Sequence, residues 1–161
     1  MNDEDVSLLT TFLPPRFKLK DWELLFCTST DGISMLSFYL KTRDADPTLL
    51  VVEDKKGHVF GAFVTEPWEK QKGYYGTGES FLFKLRPKEL SDVWRWTGRN
   101  TYFMYSNDNS ISVGGGRGQH GLWLGNDWYD GISQCSDTFE NKPLSYSEKF
   151  VIKTVEIWKF V

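Results

Sequence analysis

The sequence predicts a mainly β protein of the α+β class, an antiparallel β-sandwich of two sheets with two or more short helices at its edge or ends. Three observations favour this class. Phe, Tyr and Trp make up 16% of the chain, and aromatic side chains favour strands and dominate buried contacts. Short strand-like segments separated by turn residues recur from Leu49 onward. The 161 residues also suit one domain, which at this size buries roughly 70% of the surface of the unfolded chain.

The first predicted element is a short helix over residues 5–13. Val6, Leu9 and Leu13 follow one another at spacings of three and four, which places them on one helical face. Pro14 and Pro15 then interrupt the pattern. We therefore predict an N-terminal helical segment, residues 1–21, packed on a β-sandwich of residues 22–161, with both parts in a single domain.

A second helix is predicted after a strand at 22–28 and a turn at Asp31-Gly32. Ser34 is a suitable N-cap, and Met35, Phe38 and Tyr39 form an apolar stripe that ends before Pro47. This helix has both a start signal and a buried face.

The rest of the chain has strand patterns. The link Asp54-Lys55-Lys56-Gly57 has glycine where a hairpin bulge needs a left-handed residue. Strands are predicted at 49–53, 58–64, 79–85, 93–96, 101–105, 110–113, 120–124, 128–132 and Lys149–Phe160.

Glycine is densest at Gly114, Gly115 and Gly116, between two predicted strands. A phosphate-binding loop is normally followed by a helix, whose N-terminal N–H groups bind the anion. Here a strand follows, and the Lys-Ser/Thr ending of a Walker loop is missing. We interpret the run as a turn that determines shape rather than a nucleotide site.

Charge and apolar content exclude several functions. The net charge is −3, with no run of Lys or Arg, so we expect no nucleic-acid binding. The polar opening and the strand-length apolar runs predict neither a secretory leader nor a transmembrane segment, and we expect a soluble, cytoplasmic protein. The two cysteines and two histidines are scattered along the chain, so we expect reduced thiols, no metal site and no cofactor.

Two carboxylates are the candidate charged site residues. Strand alternation places Glu79 on the side of Phe81 and Phe83, and Glu156 on the side of Trp158. A carboxylate in apolar surroundings must be paired, hydrogen-bonded or protonated, so each glutamate is either a structural tie or a general acid with a raised pKa. The sequence leaves both roles open.

The sequence leaves two further kinds of function open, a thiol-based enzyme and a small-ligand site. A thiol nucleophile would use Cys27 or Cys135 with His120 and one of the two glutamates, although Cys135 has no cationic neighbour that lowers its pKa. A small-ligand site would use exposed tryptophans as stacking platforms, whereas burial in the core is the more common role of Trp.

The chain resembles the TLDc domain family of oxidation-resistance proteins over nearly its whole length. The resemblance rests on Gly76-Thr77-Gly78-Glu79-Ser80-Phe81, Trp96-Thr97-Gly98, Val113-Gly114-Gly115-Gly116, Leu122-Trp123-Leu124 and Val155-Glu156-Ile157-Trp158. Upstream, Leu13-Pro14, Leu24-Leu25-Phe26 and Gly57-His58-Val59-Phe60-Gly61 also follow the family pattern. Cys27, His120 and Glu140 depart from it, which weakens any chemistry assigned to the first two.

The resemblance implies an antiparallel β-sandwich and a non-enzymatic interaction module that protects cells from oxidative damage. It implies a protein partner such as the vacuolar proton-pumping ATPase, and a location at endosomal, lysosomal or vacuolar membranes through that partner. The residues that match the family's functional core are Gly76, Gly78, Glu79, Gly114, Gly115, Gly116, Trp123, Glu156 and Trp158. The alternatives remain a hydrolase or peroxide-consuming enzyme that uses Glu79 and Glu156 or a cysteine, and a small-ligand site at tryptophans.

Overall fold

A computed structural model describes residues 1–161 and shows a mainly β, antiparallel fold with three α-helices, which confirms the predicted class. The helices are α1 (Asp3–Phe12), α2 (Thr28–Asp31) and α3 (Met35–Thr42), with 3-10 turns at Pro15–Phe17 and Lys88–Leu90. The strands are β1 (Trp22–Cys27), β2 (Thr48–Asp54), β3 (Val59–Val64), β4 (Phe81–Arg86), β5 (Asp92–Arg95), β6 (Met104–Ser106), β7 (Ser110–Val113), β8 (Leu122–Gly125), β9 (Asp130–Ile132) and β10 (Lys149–Phe160).

The long strand β10 belongs to two sheets. Its first residues, from Lys149 to Val151, pair with β9, and this sheet continues through β8 and β7 to β6. Its later residues pair with β2 on one side and with β1 on the other, and this sheet continues through β3 and β4 to β5. All these ladders are antiparallel, and a 12-residue strand is long enough to serve both sheets.

The larger hydrophobic core takes side chains from both sheets. Phe60 of β3 meets Phe150 of β10 edge to face, with ring centroids 5.0 Å apart. Leu122 and Leu124 of β8 belong to the same buried cluster, whereas Trp123 between them is only half-buried. This alternation is expected of strands with one face toward a core.

A second, smaller core lies on the other face of the sheet that contains β2, β3 and β4. Leu9 and Leu13 from the N-terminal segment pack there against Phe63, Phe81 and Phe83, all of them buried. Helix α1 therefore adds a third layer outside the two sheets.

The ends of α1 and α3 follow from local sequence. Asn2 and Asp5 form a reciprocal capping box at the start of α1, and the Ser34 hydroxyl accepts a hydrogen bond from Ser37 N–H at the start of α3. The helix predicted from Ser34 is thus confirmed, and Phe38 on its inner face meets Phe26 and Trp128 in the larger core.

Asp5 also clamps α1 to the sheet. Its carboxylate accepts hydrogen bonds from the Arg86 guanidinium at the end of β4. Burial raises the pKa of Asp5, but the hydrogen bonds from Arg86 and from the Asn2 N–H outweigh burial and lower that pKa overall. The carboxylate is therefore charged and paired at neutral pH.

Several predicted boundaries were wrong. Strand β4 begins at Phe81, not at residue 79, because Ser80 N–H still closes a turn on the Thr77 carbonyl. Residues 101–103 and 120–121 also precede β6 and β8 rather than belonging to them. The predicted strand end at residue 28 is the first residue of α2, a single helical turn. No helix in the molecule has the length and apolar character needed to cross a membrane.

Candidate functional site

All five candidate glycines lie in two loops that meet the same segment of chain. Gly76 and Gly78 belong to the loop between β3 and β4, and the run from Gly114 to Gly116 belongs to the loop between β7 and β8. Both loops contact residues 96–104, which precede and begin β6. The structure therefore brings these glycines together, although about 40 residues separate them in sequence.

The loop with Gly76 and Gly78 is fixed by backbone pairing and by close side chains. Tyr75 exchanges two hydrogen bonds with Met104, at N···O distances of 2.9 and 2.8 Å. The Trp96 ring packs directly against Gly78, where a Cβ atom would overlap it. Glycine is required here because the ring occupies the space of a side chain.

The turn with Gly114, Gly115 and Gly116 has both close contacts and unusual backbone angles. Gly116 has φ +120°, and a Cβ there would lie 2.7 Å from Asp137 Oδ2. Gly115 N–H donates to Thr138 Oγ1 (3.0 Å), and the Gly115 carbonyl accepts from Asn100 Nδ2 (3.3 Å). The turn is a shape-determining element, as its sequence predicts.

Three aromatic side chains emerge where these loops meet, and we call them the aromatic face: Tyr74, Trp96 and Tyr102. The Tyr74 and Tyr102 rings stack with centroids 4.4 Å apart, and Tyr74 Oη lies against Gly115. All three are exposed, at 38%, 43% and 40%. Exposed aromatic clusters of this kind are common at binding surfaces.

Hydrogen bonds hold the aromatic face in place. Asn100 Oδ1 accepts from Tyr102 N–H (3.1 Å) and from Thr138 Oγ1 (2.7 Å). Trp96 Nε1 donates to the Asn100 carbonyl at 2.7 Å. Burial raises the pKa of Tyr74, and the neighbouring tyrosines add to that shift, so its hydroxyl keeps its proton.

Glu79 faces solvent rather than the aromatic side of β4. Its side chain is 48% exposed and forms a two-pronged pair with Arg16, at 2.9 Å to Nη1 and 2.5 Å to Nη2. The hydrogen bond from Arg16 lowers the pKa of Glu79. The expectation that Glu79 lies on the apolar side was wrong, since the residue stands two positions before the strand.

Glu156 and Trp158 lie on β10, on the face covered by α1. Glu156 is 20% exposed and approaches the Met1 ammonium group at 3.8 Å. Trp158 is half-buried beside Trp22, with ring centroids 6.5 Å apart. Trp123 lies on β8, beyond the glycine turn, opposite Ser112 and Ile132.

These positions do not form an acid-base pair around a shared cleft. Glu79 pairs with Arg16 on the 3-10 turn, whereas Glu156 faces the ammonium group of the N-terminus.

The thiols and the histidine do not form a nucleophile pair with a shared contact. Cys27 is buried with its sulfur 3.0 Å from Ser29 Oγ, whereas Cys135 is exposed. His120 Nδ1 has no hydrogen-bond partner, and burial lowers the pKa of His120. No group of three or more His, Cys, Asp or Glu side chains gathers as metal ligands.

The tryptophans divide between core and surface. Trp68 and Trp128 are buried, as the more common role of Trp predicts, whereas Trp94 and Trp123 are half-buried. Sequence reasoning missed Tyr74, Tyr102 and the organising role of Asn100. Gly73-Tyr74-Tyr75-Gly76 did carry a signal, because aromatic residues between glycines combine a free backbone with a large contact area.

This chain is similar to known proteins over nearly its whole length. The family model of the TLDc domain matches residues 1–161. The chain is 40% identical over 158 residues to oxidation resistance protein 1 of Homo sapiens, covering 98% of this chain and 18% of that protein. It is also 40% identical over 156 residues to nuclear receptor coactivator 7 of Gallus gallus, covering 96% of this chain and 17% of that protein.

The chain therefore spans about a fifth of the length of the curated relatives that it matches. The similarity covers both layers of strands, helix α1 and the loops of the aromatic face. On the strength of that full-length match, the chain belongs to the TLDc domain family.

Proposed function

We propose that this chain is a non-enzymatic interaction module of the oxidative-stress-protection type, which binds a protein partner through the aromatic face. The observation that carries the proposal is the stacked pair of Tyr74 and Tyr102, which is exposed together with Trp96 where the glycine loops meet residues 96–104. Exposed aromatic side chains are the residues that most often dominate binding energy in protein interfaces.

The face is rigid before any partner arrives, which favours a binding role. Asn100 and Thr138 tie Tyr102 and Gly115 together, and the Trp96 indole is fixed by its hydrogen bond to the chain. Side chains that are already ordered lose little conformational entropy on association. Tyr and Trp also combine an apolar ring with a polar atom that suits a partly hydrated interface.

The vacuolar proton-pumping ATPase is the specific partner that we propose, with modulation of its assembly as the effect. The family resemblance supports this choice, and the relatives named oxidation resistance protein 1 support a role in oxidative stress. Binding to the pump would bring the chain from the cytoplasm to endosomal, lysosomal or vacuolar membranes. Glu79 would act indirectly, because its ion pair with Arg16 would hold the loop that contains Gly78 in place.

A pulldown with the purified peripheral sector of the pump tests this proposal. At about micromolar concentrations we expect retention of the wild-type chain. The Tyr74→Ala, Tyr102→Ala double variant should bind about 30-fold more weakly or worse, the loss typical of an interface hot spot. Tyr129→Ala is the matched control, because Tyr129 is 54% exposed in the turn between β8 and β9.

Two results would contradict the proposal in different ways. Undetectable binding of the wild-type chain would remove the pump as the partner. Equal binding by the double variant and by Tyr129→Ala would show that the pump contacts another surface.

A further inference from the structure

The turn that follows α1 exposes a leucine between two lysines. Leu19 is 98% exposed, and Lys18 and Lys20 on either side of it are also exposed. A fully exposed leucine is unfavourable in water, since removing such an apolar side chain from water is favourable. We call residues 16–22 the basic turn.

The basic turn is held rigidly at both ends. Phe17 is buried, with its ring 6.0 Å from that of Phe63 and 5.4 Å from that of Phe160. At the other end, Asp21 and Val161 exchange two backbone hydrogen bonds of 3.2 and 2.8 Å. Leu19 is thus presented from an ordered loop, and its exposure does not come from a loose chain end.

The surface beside Leu19 is also apolar. An open cleft of about 510 Å³ lies between α1 and the basic turn, and Leu19, Trp22 and Trp158 line it. Leu24, 42% exposed, stands opposite Trp158 in the ladder between β1 and β10. Indole rings beside an exposed aliphatic side chain suit the boundary between lipid headgroups and acyl chains.

Cations surround this apolar surface and lack acidic partners. Lys18 lines both this cleft and a second cleft of about 360 Å³, where it is joined by Arg95. Arg95 donates to the Phe12 carbonyl rather than to a carboxylate. Of the nine ion pairs in the molecule, none involves Lys18, Lys20 or Arg95.

The local charge is opposite in sign to that of the whole chain. The net charge is −3, whereas Arg16, Lys18, Lys20 and Arg95 outnumber the two carboxylates beside them, Glu79 and Asp21. Lysines near an acidic membrane surface each contribute about 1 kcal/mol of attraction. The surface therefore has an electrostatic match to an anionic bilayer.

We propose that the basic turn docks directly on an anionic lipid bilayer, with Leu19 inserted at the headgroup boundary and Lys18, Lys20 and Arg95 against the acidic headgroups. A bilayer is favoured over an acidic peptide because Leu19, although it lines the open cleft, is 98% exposed, whereas a side chain that forms a peptide-binding groove is partly covered by its neighbours. A single inserted side chain gives weak, reversible binding, and the cations supply the second signal that peripheral attachment needs. The residues of this contact are distinct from Tyr74, Trp96 and Tyr102 of the aromatic face.

Co-sedimentation with vesicles tests the proposal. We expect the chain to bind vesicles of phosphatidylcholine with about 30% phosphatidylserine, and to lose that binding on pure phosphatidylcholine or when salt rises from about 0.1 to 0.5 M. Lys18→Gln, Lys20→Gln should lower the partition coefficient about 25-fold, since each lysine contributes about fivefold. Leu19→Ser should lower it about tenfold or more.

Matched controls separate a specific surface from general charge and apolarity. Lys55→Gln, Lys142→Gln removes two exposed lysines elsewhere, and Leu36→Ser removes a leucine that is 68% exposed on α3. Both should bind like wild type. Failure of the wild-type chain to bind acidic vesicles would overturn the proposal, as would control variants that lose as much as the basic-turn variants. Displacement from vesicles by soluble polyglutamate at equal charge concentration would point to an acidic protein partner and would also overturn it.

Discussion

Among single residues, Lys84 is the least expected in its position. It belongs to β4 on the side that faces the larger core, opposite Phe60, and is only 5% exposed. The carboxylate that attracts it, Asp54, already accepts hydrogen bonds from Lys56 N–H, His58 N–H and the Ser145 hydroxyl. Burial lowers the pKa of Lys84, and Asp54 opposes this shift without cancelling it.

Replacement of Lys84 by methionine should stabilise the protein. A buried ammonium group without an ion-pair partner is unfavourable, so Lys84→Met should raise the free energy of unfolding by about 1 kcal/mol near pH 7. The folded-state pKa of Lys84 is below the ordinary lysine value of 10.5. At pH values below that folded-state pKa, the ammonium group is charged in the folded protein, and its full unfavourable contribution to the free energy of folding applies. It should fade as pH rises toward 10.5, so the advantage of the variant should shrink over that window.

Urea unfolding at several pH values measures this effect. Lys55→Met is the control, because Lys55 is exposed in the loop between β2 and β3. An advantage of Lys84→Met that stays constant up to the ordinary lysine pKa would show that the ammonium group is not penalised in the folded state.

Among the loops, the turn between β7 and β8 combines close side-chain contacts with positive φ angles at Gly114 and Gly116. Gly116→Ala would combine a φ of +120° with a Cβ placed 2.7 Å from Asp137 Oδ2. We expect a loss of about 1 to 3 kcal/mol in the free energy of unfolding, measured by thermal or urea unfolding.

Gly73→Ala provides the matched control for that substitution. Gly73 lies in the loop between β3 and β4, and a Cβ there would have no neighbour within 4 Å. The change should stay within about 0.5 kcal/mol of wild type. A harmless Gly116→Ala substitution would contradict the view that this turn determines shape.

Elements with local signals were predictable, and those fixed by distant contacts were not. The Ser34 cap and the stripe that includes Phe38 define α3 within its own sequence. The position of Glu79 depends on Arg16, which is 63 residues away. Strand alternation assigned Glu79 to the wrong side because the strand starts later than its apolar pattern suggests. The short helix α2 has no apolar periodicity that could reveal it.

At the scale of the molecule, the glycine motifs predicted a crowded region but not its surface. Alternation along the chain indicates which residues are buried, whereas the stacking of Tyr74 on Tyr102 depends on the meeting of two loops, one between β3 and β4 and one between β5 and β6. The same limit applies to the basic turn, where Lys18 and Arg95 are neighbours only because α1 folds back over the sheet. Composition and strand patterns predicted the fold class, the family resemblance implied the same fold, and the two candidate surfaces follow only from the geometry.

Helix α1 and the sheets should unfold together as one cooperative unit. Leu9 is fully buried in the cluster that also holds Phe63 and Phe83, and Asp5 pairs with Arg86 of β4. Leu9→Ala would leave a cavity between the layers, and we expect a loss of about 2 to 5 kcal/mol. If the layers are one unit, that loss should appear equally in tryptophan fluorescence on urea unfolding and in hydrogen exchange of the α1 amides.

Ser7→Ala on the exposed side of α1 is the control and should change neither measurement. Faster exchange confined to α1, with an unchanged fluorescence midpoint, would instead make the N-terminal segment a separate unit.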